Sequence, residues 1–192
     1  MNKGLMRQAP RLLDRFLIGG LLLLVLLLLG LQVAHAGEII PSIGITRPSD
    51  GTGSDATVSG GLAFRGSIAP ILKSEVGVSY RDQELNNGDL KVRMWPITGS
   101  LWLTPLPNFY AGGGVGWYHT TLDYAPSLGL PASTSQDFGV HLGGGLNVPI
   151  APRAAVDLHG RYIFMGDKSS ELPPNSYDPD FWTTSVGLAI RF

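Results

Sequence analysis

The stretch that decides the fold is Trp182-Thr-Thr-Ser-Val-Gly-Leu-Ala-Ile-Arg-Phe192, because its residues alternate strictly in character. One face is mostly apolar and comprises Trp182, Thr184, Val186, Leu188, Ile190 and Phe192. The other face is small or polar and comprises Thr183, Ser185, Gly187, Ala189 and Arg191. A transmembrane β-strand gives this pattern, with the apolar face on lipid and the other face on a lumen. A half-buried strand in a soluble sandwich also gives it, so this stretch alone leaves both alternatives open.

The N-terminus has the layout of a secretory signal. A basic region, a leucine run over residues 16–31 and a small-x-small site follow one another; their marker residues are Lys3, Arg7, Arg11, Arg15, Ala34 and Ala36. This order predicts cleavage between Ala36 and Gly37, so that residues 1–36 are a signal peptide and 37–192 form the mature domain. A retained membrane anchor is the alternative. We favour cleavage, because a spanning helix needs about 20 apolar residues and glycines interrupt this run.

Composition narrows the function classes. The chain has 192 residues and no cysteine, which excludes disulfides and thiolate chemistry. Its formal net charge of −1 offers no electrostatic reason to bind nucleic acid. After Leu31 no apolar run is long enough to cross a bilayer as a helix, so a spanning structure would have to be a closed barrel. The length is that of one domain.

Eight segments of the mature chain alternate as the last one does. They are residues 38–47, 57–68, 72–82, 90–104, 108–124, 137–148, 153–164 and 182–192. A tilted strand needs about 9–11 residues to cross the hydrocarbon. In the fourth segment Val92 and Met94 are predicted to face outward, as is Ile97, so the frame shifts at Trp95-Pro96. We interpret this shift as a β-bulge.

The connections between the segments alternate in length. Short, proline-containing turns fall at 69–70, 105–107 and 149–152, and longer polar loops fall at 48–56, 83–89, 125–136 and 165–180. Outer-membrane barrels have short periplasmic turns and long external loops. The pattern therefore predicts that both termini lie on the periplasmic side. A lipocalin-like barrel would instead place its apolar faces inward.

Residues 109–118, Phe-Tyr-Ala-Gly-Gly-Gly-Val-Gly-Trp-Tyr, together with the second glycine-rich strand and the terminal Phe192, resemble the OmpA/OmpX-type outer-membrane β-barrel family. The resemblance implies an all-β, eight-stranded antiparallel up-and-down barrel in the outer membrane of a Gram-negative cell. It also implies export through the inner membrane, contact with outer-membrane lipids and lipopolysaccharide, and a monomer without cofactor or nucleic-acid partner. The terminal strand resembles the signal read by the barrel-assembly machinery, with Phe192 as its determinant.

An eight-stranded barrel is narrow enough for side chains to fill it, so we expect a plugged lumen and not a channel. The inward-facing candidates are Arg65, Glu75, Arg81, Asp157, His159, Arg161 and Arg191. Buried charges need partners, and we therefore expect Glu75 and Asp157 to neutralise some of the arginines. Glycines on the interior faces should leave room for the bulky neighbours Trp102, Tyr110 and Tyr118.

Three function classes remain. A structural or surface-interaction role is favoured, and a narrow pore or passage for small or hydrophobic solutes is the alternative. Some small barrels of this kind modify lipid A, but His119, beside Thr120, has no convincing nucleophile. We therefore expect no enzymatic activity, no catalytic residues and no metal site. Trp117, Trp182 and Phe192 are assigned to the aromatic girdles at the membrane interfaces.

Overall fold

In the computed structural model, eight long strands pair with their neighbours and close into an antiparallel barrel. Residues 37–49, 56–85, 90–124, 132–166, 168–169, 176–177 and 180–192 are described; the predicted signal peptide lies outside them. The strands are β1 (Gly37–Pro48), β2 (Thr57–Ala69), β3 (Leu72–Leu85), β4 (Leu90–Leu106), β5 (Phe109–Tyr124), β6 (Ser133–Ala151), β7 (Ala154–Phe164), β8 (Lys168–Ser169), β9 (Ser176–Tyr177) and β10 (Phe181–Arg191).

The barrel closes between its first and last strands. In spatial order the strands run β1-β10-β7-β6-β5-β4-β3-β2, and β1 pairs with β10 from Glu38↔Arg191 to Pro48↔Phe181. The N–H of Phe192 donates to the carbonyl of Gly37 at 3.1 Å. Closure gives every barrel strand two neighbours, which is what a sheet needs in lipid, where no water satisfies an open edge. The predicted fold class is confirmed.

The two faces of the barrel wall are the reverse of those in a soluble protein. Outward apolar side chains such as Leu142 and Val58 are 57% and 61% exposed, whereas the inward Arg65 and Asp157 are 2% and 0% exposed. Large apolar groups outside and charged groups inside are typical of a barrel whose solvent is lipid. The predicted alternation is confirmed in β5, β6, β7 and β10, and a lipocalin-like interior is excluded.

The predicted bulge at Trp95-Pro96 is wrong. The β3–β4 register is the same at Val78↔Ile97 and at Arg81↔Met94, and the β4–β5 register runs unbroken through this dipeptide. Met94 is buried inside and Trp95 is 51% exposed outside, so the outward assignments of Met94 and of Val92, which lies on the same face, are also wrong. Proline's missing N–H is accommodated by a short gap in the pairing with β3, without an inserted residue.

The connections give the barrel two different ends. Three two-residue turns, at 70–71, 107–108 and 152–153, lie at one end with Gly37 and Phe192; we call this the turn end and the opposite one the loop end. Asn108 supports its turn with a φ of 66°. At the loop end β4, β5 and β6 reach 17, 16 and 19 residues, so parts of the predicted loops 83–89 and 125–136 are strand.

In the predicted loop 165–180 the only described pairing is the short β8–β9 hairpin, and most of this segment lies outside the described residues. Within the described ranges, no helix is long and apolar enough to cross a membrane.

Candidate functional site in the barrel lumen

A buried arginine occupies the half of the lumen nearest the turn end. Arg65 on β2 donates from Nε to Glu75 at 2.8 Å and from Nη1 to Asp157 at 2.6 Å. Its Nη2 donates to the hydroxyl of Tyr110 at 3.1 Å, and its guanidinium carbon lies 4.3 Å from the centre of that ring. One guanidinium therefore connects β2, β3, β5 and β7 across the barrel, as its fork of five donors permits.

The two carboxylates have further donors. Glu75 also pairs with Arg161, and Asp157 accepts from Tyr110 at 2.8 Å and from Asn147 at 3.2 Å. Both acids are at most 1% exposed. A buried charge is tolerated when it is paired and its remaining lone pairs are hydrogen-bonded, and both conditions hold here. We call these six residues, Arg65, Glu75, Tyr110, Asn147, Asp157 and Arg161, the ion network.

A second, smaller group lies at the turn end. Arg191 donates from Nε to Glu38 at 3.0 Å and from Nη2 to Asn147 at 2.9 Å, and Lys73 lies 3.7 Å from Glu38. A recess of about 220 Å³ opens beside these residues. Asn147 therefore joins this outer group to the ion network.

A chamber of about 90 Å³ lies on the loop-end side of the ion network. Small residues line much of it, among them Ser42, Gly44, Ser59, Gly61, Ser79, Thr98 and Ser185, together with the larger His141, His159 and Arg161. His141 is hydrogen-bonded to Ser100 at 2.9 Å. Four buried apolar side chains, Met94, Tyr118, Ile163 and Phe181, pack together at the loop end of the chamber, and we call them the apolar cap.

Inward glycines make room for the large side chains, as predicted. A Cβ on Gly145 would lie 2.6 Å from the Tyr110 hydroxyl, and one on Gly143 would lie 3.0 Å from Cγ of Arg161. A Cβ on Gly116 would lie 2.6 Å from the ring of Tyr118. The glycine strands β5 and β6 therefore fix where the bulky lumen residues can lie.

The seven charged residues selected from the sequence do not form one cluster. Arg65, Glu75, Asp157, His159 and Arg161 come together, whereas Arg191 belongs to the group at the turn end. Arg81 lies at the loop end, with its guanidinium carbon 4.1 Å from the Phe181 ring centre. Sequence reasoning missed Glu38 and Asn147 as partners. Glu38 could have been found, because it alternates with the outward Ile39.

The lumen also contains a serine, a histidine and an aspartate in contact. Ser185 Oγ lies 3.1 Å from Nε2 and 3.2 Å from Nδ1 of His159, and this Nδ1 lies 3.4 Å from Asp157. In a hydrolytic triad the serine contacts one ring nitrogen and the acid contacts the other. Here the hydroxyl is shared between both nitrogens, and Asp157 is already bound by Arg65. The arrangement is that of a hydrogen-bond network and not of an activated nucleophile.

Aromatic side chains lie on the outer surface. Trp117 pairs across strands with Phe138, and Trp182 lies under the guanidinium of Arg47 at 5.8 Å. Phe192 is 67% exposed at the turn end. Sequence analysis missed the outward contact between the rings of Trp95 and Tyr80, whose centres are 4.5 Å apart and whose planes are inclined by 48°. Among the described residues, no three His, Asp or Glu side chains are grouped closely enough to hold a metal ion.

Comparison with known proteins gives a family match and a shared fold. Residues 21–192 match the outer membrane protein beta-barrel domain family. Neisserial surface protein A has a TM-score of 0.58 at 16% identity, covering 82% of this chain and 96% of its own. OprG of Pseudomonas aeruginosa has a TM-score of 0.55 at 19% identity, with coverages of 82% and 96%. Ail of Yersinia pestis, in complex with the heparin analogue sucrose octasulfate, has a TM-score of 0.55 at 12% identity, with coverages of 82% and 98%. No curated protein sequence matches.

Proposed function

Because the chain belongs to the outer membrane protein beta-barrel domain family and is therefore an integral outer-membrane barrel, we propose that it has a structural or surface-interaction role and a lumen plugged by side chains. In this proposal the barrel is monomeric, non-enzymatic and free of cofactors, and it contacts outer-membrane lipids and lipopolysaccharide. It is exported through the inner membrane, cleaved after Ala36 and inserted by the barrel-assembly machinery, which reads Phe192. The loop end faces the outside of the cell.

The observation that carries the surface role is the length of β4, β5 and β6. These strands exceed the 9–11 residues that a tilted strand needs to cross the hydrocarbon. Beyond the outward pair Trp117↔Phe138, the β5–β6 ladder continues to Leu122↔Ser133, and residues 133–136 are exposed and polar. An ordered sheet that projects past the aromatic girdle supports contact with material outside the membrane better than a minimal turn would.

The ion pairs on this projection support a neutral binding surface. Arg93 pairs with Asp123, and Lys91 lies 2.9 Å from Asp82. These four side chains are 31–44% exposed, so water screens them. Because each cation has an acidic partner, the projection has no excess positive charge in this part. Sulfated sugars, which the Ail structure suggests as a first ligand to test, would have to compete with these pairs.

A complementation experiment separates the structural role from the surface role. A strain lacking the gene would receive either the full protein or a variant in which residues 121–134 are replaced by an Asn-Gly turn. Both would be checked for barrel formation by heat-modifiable gel mobility. If the role is surface interaction, the trimmed barrel restores detergent resistance but not adhesion of cells to immobilised polysaccharide or host cells. If it restores both, the surface role is refuted and the structural one remains.

The plugged lumen is supported by the burial of the ion network, whose Arg65 and Asp157 are at most 2% exposed. Single-channel recording in planar bilayers tests it. A plugged barrel should give no steady current. Stable conductance steps that change on Glu75→Gln would overturn the plug.

The same recording would then favour the second candidate function, a narrow pore. That candidate is supported by the chamber and by the turn-end recess, which lie on opposite sides of the ion network.

A further inference from the structure

A groove of about 690 Å³ crosses the outer face of the barrel wall, and we call it the outer groove. Its floor has few side-chain atoms, because Gly144, Gly160 and Thr184 are direct neighbours in one cross-strand row. A Cβ on Gly160 would meet no atom closer than 3.6 Å, so the floor is open to the lipid. The apolar side chains that line the outer groove are Ile43, Ile45, Val58, Leu146, Leu158 and Val186.

The outer groove is long enough for a whole acyl chain. It runs from β2 across β1, β10 and β7 to β6, which is four interstrand spacings or about 19 Å. One leaflet contributes about 15 Å of hydrocarbon, half of the bilayer core. Ile45 lies near the loop end of β1, whereas Gly144 lies past the middle of β6 toward the turn end. The groove therefore descends obliquely into the membrane from the loop end.

A cation lies beside the loop-end mouth of the outer groove. Arg47 follows Ile45 on the outer face of β1 and pairs across the strands with Trp182, which precedes Thr184 on the same face of β10. Its guanidinium carbon lies 5.8 Å from the centre of the Trp182 ring, and among the described residues no carboxylate pairs with it. Tryptophan rings prefer the headgroup level, so Arg47 lies where lipid headgroups lie.

An amphiphile with an anionic head fits this arrangement. The planar fork of a guanidinium binds phosphate through two parallel hydrogen bonds, and Arg47 is exposed. Between Arg47 and the glycine floor lies Thr184, whose hydroxyl can donate to a carbonyl that links an acyl chain to the head. Head, linkage and chain would then each have a matching part of the surface.

A second copy of the barrel fits less well, because it would bring no anion to Arg47. The outward carboxylates described at the loop end are Asp82 and Asp123, and they already pair with Lys91 and Arg93. A dimer across the outer groove would leave the charge of Arg47 without a partner.

We propose that the outer groove binds one phosphorylated lipid of the outer leaflet, the lipid A part of lipopolysaccharide, with a phosphate on Arg47 and an acyl chain over Gly160 and Gly144. The lipid would lie across the β1–β10 pairing, where the barrel closes. This inference rests on the proposed orientation, because Arg47 lies in the outer leaflet only if the loop end faces outside. It gives the proposed lipopolysaccharide contact a defined surface.

Native mass spectrometry tests the site. The protein would be extracted from outer membranes, delipidated in a nonionic detergent and titrated with purified diphosphorylated lipid A. The fraction of barrels that carry one lipid gives the Kd. Lipid A without its phosphates should bind about tenfold more weakly, the effect of losing a hydrogen bond between charged groups. Phosphatidylethanolamine, which has no excess negative charge, should also bind more weakly than lipid A.

Two variants locate the binding surface. Arg47→Gln removes the guanidinium and Gly160→Leu fills the floor, and each should weaken lipid A binding by about tenfold. Arg93→Gln removes a cation that already pairs with Asp123. Gly60→Leu adds a side chain outside the outer groove, where a Cβ meets nothing within 4 Å. Both controls should bind like the parent, and heat-modifiable gel mobility checks that all four variants are folded.

Three results would overturn the proposal. They are unchanged lipid A affinity in Arg47→Gln or in Gly160→Leu, equal affinity for lipid A with and without phosphates, and a lipid-free dimer that Gly160→Leu dissociates. The assay contains no polysaccharide and no host cell, so a negative result would leave the surface role standing. Conversely, a trimmed barrel that still supports adhesion would refute the surface role without affecting lipid A binding.

Discussion

Replacing Arg65 with methionine should destabilise the barrel strongly, because among the described residues Arg65 is the only cation that contacts both Glu75 and Asp157. The substitution deletes the bonds to Glu75 at 2.8 Å, to Asp157 at 2.6 Å and to Tyr110 at 3.1 Å. Breaking a buried ion pair by removing one partner costs about 3–5 kcal/mol. Glu75 keeps Arg161, and Asp157 keeps the Tyr110 hydroxyl, so we expect the lower part of this range, about 3 kcal/mol.

The free energy of unfolding would be measured by urea titration of the barrel in detergent micelles, extrapolated linearly to water. Arg47→Met is the matched control, because Arg47 lies exposed on the outer face and should change stability little. The double variant Arg65→Met, Asp157→Asn should recover part of the loss, because it also removes the uncompensated charge while Glu75 keeps Arg161. A loss of unfolding free energy below about 1 kcal/mol for Arg65→Met is what a solvent-exposed ion pair contributes. Such a result would refute the conclusion that the ion network is buried away from water.

Three further predictions concern packing, assembly and orientation. Gly114→Ala should abolish or severely slow folding, because the added Cβ would overlap a backbone carbonyl of β4. Gly60→Ala is the control and should refold normally, because nothing lies within 4 Å of the added Cβ. Heat-modifiable gel mobility measures the folded fraction of both variants. Phe192→Ala should lower the folded protein recovered from outer membranes yet refold normally in detergent; equal recovery in cells would contradict the assembly role. Since the chain has no cysteine, Thr134→Cys should react with an impermeant maleimide on intact cells and Ala69→Cys only after permeabilisation, and the reverse result would invert the orientation.

The fold could be predicted from the sequence because the lipid enforces a local rule. Within the hydrocarbon most outward positions are apolar, so Val140, Leu142 and Leu146 alone indicate the frame of β6. The rule fails where a strand leaves the lipid. At the loop end of β4 the outward Arg93 pairs with Asp123, while Met94 turns inward to the apolar cap. Apolar character there no longer distinguishes the outside from the inside, and the alternation was consequently assigned one residue out of frame.

The sequence could predict which charged residues face the lumen, but not which of them pair with each other. Alternation shows that Arg65 and Asp157 face inward, but they lie 92 residues apart in sequence and meet only because the barrel closes with a particular stagger of its strands. The same stagger separates Arg81 from the other arginines and places it on Phe181. Spacing along the chain carries no information about either outcome. The predicted charge pairing of Glu75 and Asp157 rested instead on the cost of a lone buried charge.

Glycine placement explains why the polar groups of the lumen are divided between two regions. Gly145 accommodates Tyr110 beside Arg65, and Gly143 accommodates the stem of Arg161, so both arginines can reach Glu75. Further toward the loop end Gly116 accommodates the Tyr118 ring, which packs in the apolar cap beside the chamber. A larger residue at any of these glycines would displace the side chain packed against it. The inward glycines of β5 and β6 therefore determine where the charged residues of the ion network lie, and where the chamber beside them lies.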